Sequence, residues 1–155
     1  MNIKRFMASQ LRKPTGWFGS LVVSRMTNRL NRQIIEATLE ALELRPQDHV
    51  LEIGFGGGSA LLGISKRLPS GVISGLDISP DLLRQAENRF RREIAEGRVR
   101  VQLGDISHLP FPAAAFDRLF TINTIYFWPD LPRAFAELWR RGPLVPRAPH
   151  LAPMP

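Results

Sequence analysis

Residues 49–58 read HVLEIGFGGG. An apolar run carrying one carboxylate, Glu52, meets glycine at positions 54, 56, 57 and 58. A short apolar run bounded by glycine reads as a buried strand that ends in a sharp turn. Glycine there permits positive φ and lets the backbone approach a ligand closely. A strand that passes through such a turn into a helix aims backbone N–H groups outward, which is how nucleotides are held at helix N-termini. A tight turn with no ligand needs one glycine, not the four present.

Working outward, the flanking sequence alternates between strand and helix signals. Upstream, residues 28–44 read as an amphipathic helix with an apolar stripe of Leu30, Ile34, Ala37, Ala41 and Leu44. Pro46 stops it, because the residue before proline is pushed out of helical space. Downstream, SALLGISKRL (59–68) has helical spacing at Leu61, Ile64 and Leu68. VISGLD (72–77) is a second strand. SPDLLRQAENRFRREIAEG (79–97) reads as one helix: Ser79 caps it, Pro80 suits its first turn, Asp81 suits the dipole and Gly97 ends it. VRVQL (99–103) alternates apolar and polar residues, as an edge strand with one wet face does. FDRLFTI (116–122) is a fourth strand, and DLPRAFAELWR (130–140) opens another helix. This order predicts an α/β fold: a parallel sheet with helices on both faces and right-handed crossovers.

The spacing of the glycines selects the ligand. The dinucleotide fingerprint G-x-G-x-x-G would place its third glycine at position 59, which is Ser59. No Lys-Ser/Thr pair follows, so a P-loop is excluded. The pattern present is E-x-G-x-G-x-G, over Glu52, Gly54, Gly56 and Gly58. This resembles the first motif of class I methyltransferases that use S-adenosyl-L-methionine. Their cofactor carries a sulfonium and an α-ammonium but no phosphate, so a carboxylate in the turn attracts it and would repel a pyrophosphate. Two more stretches resemble that family. Asp77 ends the second strand in GLDIS, where an acidic side chain can accept hydrogen bonds from ribose hydroxyls. GDISHLPFPAAAFD (104–117) resembles the stretch after the third strand in small-molecule methyltransferases of type 11.

The resemblance covers residues 40–140 and implies a cofactor set of Glu52, Gly54, Phe55, Gly56, Gly58, Asp77, Ile78, Asp105, Ile106 and Asn123. Asp105 would bond the adenine amino group with Ile106 adjacent, and Asn123 would face the methionine end. The implied reaction is in-line methyl transfer to a small-molecule acceptor, in which the protein positions the reactants and excludes water. No residue is assigned as a catalytic base. His108 and Tyr126 lie on loops within reach of a methyl group, or serve as structural residues. A cofactor-binding fragment without turnover is the alternative, and an NAD-dependent oxidoreductase a further one, which Ser59 and the Asp105 stretch argue against.

Composition sets the remaining bounds. The chain has 155 residues, no cysteine and a net charge of +7. The missing cysteines exclude disulfides and thiolate metal sites, and no two histidines have metal-ligand spacing, so no metal is expected. The basic excess is scattered arginine broken by glutamate, which argues for solvated faces and against a nucleic-acid partner. No apolar run is long enough for a transmembrane helix, and a cytoplasmic location is expected. Residues 1–27 are basic and irregular and resemble the lid of such enzymes. Residues 28–141 form the cofactor-binding unit. Residues 142–155 read as a disordered tail, with proline at 143, 146, 149, 153 and 155. The family sheet has seven strands, of which this chain supplies strands 1–4. The change to Pro, Arg and Ala after residue 140 reads as a truncated or frameshifted ending. It would leave strand four an exposed edge with an uncovered apolar flank, Leu119 and Ile122 losing sheet neighbours, and self-association through that edge.

Overall fold

The computed structural model describes residues 32–142. The expected lid (1–27), Leu30 and residues 143–155 of the expected tail lie outside that span.

Four strands form one sheet, β1 (His49–Ile53), β2 (Val72–Asp77), β3 (Val99–Leu103) and β4 (Arg118–Thr121), in the order β3-β2-β1-β4. Every pairing is parallel. The register explains the core. Val50 pairs with Ile73, and Ile73 with Val99, so three β-branched side chains stand in a row on one face, all 0% exposed. Burying each contributes about 1.5–3 kcal/mol.

Helices α1 (Arg32–Ala41), α2 (Ser59–Ser65) and α3 (Pro80–Arg89) supply that face with Leu39, Leu61, Ile64, Leu82 and Ala86. A short α4 (Arg91–Ala95) follows α3, and α5 (Leu131–Arg141) supplies the opposite face. There Ala134 and Leu138 pack with Leu51, Ile53 and Leu119. The sheet is therefore covered on both sides, as parallel sheets require. β3 sits at one edge with Arg100 and Gln102 exposed, as its alternation predicts.

Local signals match where they were explicit. The Ser79 side chain accepts from the Leu82 N–H at 3.4 Å, with Pro80 in the first turn, and Gly97 follows α4 at φ 73. Asp130 caps α5 by accepting from the Arg133 N–H at 3.0 Å.

Three expectations are corrected. First, α1 turns a different stripe inward: Leu39 and Leu42 are buried and Ile35 packs on the core, whereas Ile34, Ala37 and Ala41 are exposed. With Ile34 and Ile35 adjacent, two stripes were possible, and the one carrying the larger side chains is buried. Second, the helix expected over 79–97 is two, because Phe90 leaves helical space at φ −104, ψ 22 to bury its ring. Third, no further strand among the described residues pairs beside β4, yet the apolar flank there is not bare at Leu119. Leu119 is 6% exposed, because α5 lies over it.

Candidate functional site

The C-terminal ends of parallel strands, where the chain leaves the sheet, are where open α/β folds bind ligands. All ten residues of the expected cofactor set gather at or just beyond those ends: Glu52 to Gly58 from β1, Asp77 and Ile78 from β2, Asp105 and Ile106 from β3, and Asn123 from β4.

The turn after β1 has positive φ at Gly54 (74°), Gly56 (53°) and Gly58 (71°). The first two positions need glycine for different reasons. A Cβ on Gly54 would overlap the Thr124 methyl, so the β1 and β4 exits press together there. A Cβ on Gly56 would meet nothing within 4 Å, so open space lies beside that backbone.

Asp77 ties the turn to β2. Its Oδ2 accepts from the Gly56 N–H at 3.0 Å and its Oδ1 from the Ser79 N–H at 2.9 Å. The Ile78 N–H also acts on this carboxylate, which as a whole can accept about four hydrogen bonds. Burial pushes the Asp77 carboxyl above its ordinary range, against the opposing pull of those backbone N–H bonds.

Glu52 lies on β1 opposite Gly75 and Phe120. It is 3% exposed, and its Oε2 has no hydrogen-bond partner among the described residues. Burial, and then the charge of Asp77, push its carboxyl well above the usual range. Unpaired buried carboxylates are costly, so this oxygen calls for a donor or a cation.

Elsewhere in the set, Asp105 Oδ1 accepts from the Ser107 N–H at 2.8 Å, which shapes the loop after β3. Asn123 adopts φ 57, tolerated in asparagine better than in bulkier residues. Phe55 and Ile106 are buried in the two apolar clusters, so these positions can offer a ligand main chain rather than side chain.

Several supporting residues escape sequence reading. The Thr121 hydroxyl donates to the Ile53 carbonyl at 2.9 Å and meets the Thr124 hydroxyl, closing the β1–β4 exit. Arg89 of α3 donates to the Gly57 carbonyl, and the Phe90 ring lies under Gly58. No local motif announces these contacts, because apart from the Thr121–Thr124 pair each joins residues more than thirty positions apart. Neither loop candidate gains a chemical role. Both ring nitrogens of His108 lie near Arg133 Nη2, at 3.0 and 3.1 Å, and Tyr126 is 78% exposed.

The strand order, the glycine turn and the paired acids match a known family, whose methyltransferase domain aligns with residues 50–141. The chain belongs to the methyltransferase domain family. It is 27% identical over 110 residues to the uncharacterized methyltransferase YdaC of Bacillus subtilis, covering 71% of this chain and 59% of that one. It is 35% identical over 91 residues to 2-methyl-6-phytyl-1,4-hydroquinone methyltransferase 1 of Oryza sativa subsp. japonica, covering 59% of this chain and 26% of that one. The crystal structure of a SAM dependent methyltransferase from Aquifex aeolicus shares the fold, with a TM-score of 0.66 at 20% identity, covering 88% of this chain and 65% of that one. The chain thus spans only part of the length of these relatives.

Proposed function

We propose that this methyltransferase-family chain binds S-adenosyl-L-methionine at the β1 turn and transfers methyl groups to a small-molecule acceptor. The single observation that carries the reading is Glu52 Oε2, buried and without a hydrogen-bond donor among the described residues, on the strand that runs into the open glycine turn. A cofactor bearing an ammonium and a sulfonium satisfies that oxygen, whereas a pyrophosphate would face two carboxylates. When bound, the cofactor supplies a methyl group on a positively charged sulfur. The protein's own work is then to bind and orient. Glu52 attracts the cationic end. Asp77 holds the turn and offers its remaining lone pairs to hydroxyl donors. The main chain of Gly54 to Gly58 lies along the ligand. Asp105 takes the adenine amino group, and Asn123 lies at the methionine end.

The acceptor is a small organic molecule. The name of the rice relative specifies a hydroquinone, which makes phenolic and quinol compounds the first panel to try. No helix of the described residues is long and apolar enough to cross a membrane, and the reading places the chain in the cytoplasm. β4 ends the strand order, and no strand among the described residues pairs with its outer side, which supports self-association through that edge. Sedimentation over a range of concentrations tests this, and a monomer throughout refutes it.

Isothermal calorimetry with S-adenosylmethionine and with NAD tests the cofactor. Binding of the first alone is expected, and a folded chain that ignores it refutes the reading. Methyl-transfer assays over the acceptor panel separate turnover from binding alone.

A further inference from the structure

Two carboxylates, Glu52 and Asp77, are buried at 3% and 6% exposure, and Glu52 pairs across the sheet with Gly75, two residues before Asp77 on β2, so the two acids are diagonal neighbours on one face. Among the described residues, little stands ready to neutralise them. On β4, Arg118 is committed elsewhere: its guanidinium donates to the Leu42 and Glu43 carbonyls and lies 3.9 Å from Asp48. Helix α2 (SALLGIS) has no titratable side chain. On α3, Arg84 pairs with Asp81, Glu87 is exposed, and Arg89 spends a donor on the Gly57 carbonyl. On α1, Arg32, Glu36 and Glu40 are exposed to solvent. On the opposite face, the α5 charges are committed or exposed: Glu137 pairs with Arg140 and Arg141, and Arg133 bonds Ser107 and His108. Beyond β3, Asp105 adds a further negative charge and bonds the Ser107 N–H. Asp77 is partly compensated by backbone N–H groups of Ser79, Gly56 and Ile78, and Glu52 Oε2 by none among the described residues.

We propose that in the ligand-free chain Glu52 and Asp77 hold one proton between them, mostly on Glu52, and that a cationic ligand releases it on binding. The inference rests on the cofactor reading above. It adds that binding is an exchange of one positive charge for another. Two like charges in a water-poor site do not both ionise, and the pair titrates as a unit. A bound ammonium or sulfonium supplies the missing counter-charge, so both carboxylates ionise and the proton leaves to solvent. Affinity for the cation therefore rises with pH until the pair is already ionised without it. The site also distinguishes cationic ligands from neutral ones of the same shape. A neutral adenosine displaces no proton.

Calorimetry of S-adenosylmethionine binding in two buffers of different ionisation enthalpy measures the exchange. The expected result is release of up to about one proton per ligand at mildly acidic pH, falling toward zero as pH rises. Adenosine should bind more weakly and without buffer dependence. E52Q should lose the proton release while still binding measurably. Buffer-independent binding by the wild-type chain overturns the inference and leaves the cofactor reading standing. Proton release that persists in E52Q also overturns it. No binding at all defeats the cofactor reading, and the release step with it. The proton-holding half is read separately by carbon NMR of labelled glutamate carboxyls in the ligand-free chain. One resonance should titrate above the ordinary carboxylate range and vanish in E52Q. If all titrate in the ordinary range, that half is wrong.

Discussion

Asp77 Oδ2 accepts the Gly56 N–H at 3.0 Å, so the acid that ends β2 holds the turn that follows β1. Its role in shaping the turn and its proposed role in meeting a ligand are therefore linked. Asp77→Ala should weaken S-adenosylmethionine binding by about 1–3 kcal/mol, the cost of losing hydrogen bonds to a charged group. Asp77→Asn keeps one carbonyl acceptor and should fall between. Calorimetric Kd values for the three chains decide this, and an unchanged affinity in the alanine variant removes Asp77 from the site.

Glu52 makes the ligand-free chain sensitive to pH. Its carboxyl titrates higher in the folded chain than in the unfolded one, so folding takes up protons. The stability it contributes is full below the ordinary carboxylate pKa and is lost as pH rises through its raised folded value. Glu52→Gln removes that loss. The variant should be more stable than wild type at neutral pH, with a flatter pH dependence, in the absence of ligand. Urea midpoints measured from acidic to neutral pH report the difference, and an E52Q chain that is less stable at neutral pH contradicts it.

The two glycines of the turn should fail differently. Gly56→Ala meets only the positive-φ penalty, about 1–2 kcal/mol, because no atom stands within 4 Å of the added methyl. Gly54→Ala adds an overlap with the Thr124 methyl and should cost about 1–3 kcal/mol more. Thr124→Ser removes that methyl and keeps the hydroxyl, so it should recover part of the Gly54→Ala loss and none of the Gly56→Ala loss. Denaturant unfolding of the single and double variants provides the comparison.

Arg118 is 6% exposed on β4 and reaches the carbonyls of Leu42 and Glu43 beside Asp48. Arg118→Ala leaves those carbonyls short of a donor and the buried Asp48 carboxylate short of its counter-charge, and should cost about 3–5 kcal/mol of stability. Thermal unfolding measures it. A change under about 1 kcal/mol would mean that water replaces the guanidinium.

The strands were legible because buried parallel strands are short apolar runs bounded by glycine or proline. HVLEI, VISGLD and VRVQL occupy the stretches where they were expected. The helix from Ser79 was legible at both ends, where capping is local, and not at Phe90, where burial of a ring interrupts it. The α1 stripe was misread because Ile34 and Ile35 offer two faces, and only packing against the sheet chooses between them. The sequence placed the acids and glycines of the candidate site by type and spacing, and the structure gathers them at the C-terminal strand ends. The hydroxyls of Thr121 and Thr124, and Arg89, were not legible, since their contacts bridge residues up to 71 positions apart.

The end of α3 has a consequence for how a ligand meets this protein. Arg89 grips the Gly57 carbonyl, and the Phe90 ring fills the floor under Gly58. A glycine-rich loop on its own would lose much conformational freedom on binding, and affinity would suffer by that amount. Here folding of the domain has already ordered the loop from below. An arriving ligand loses only its own freedom, and amide exchange at Gly56 and Gly58 should be slow before any ligand is added.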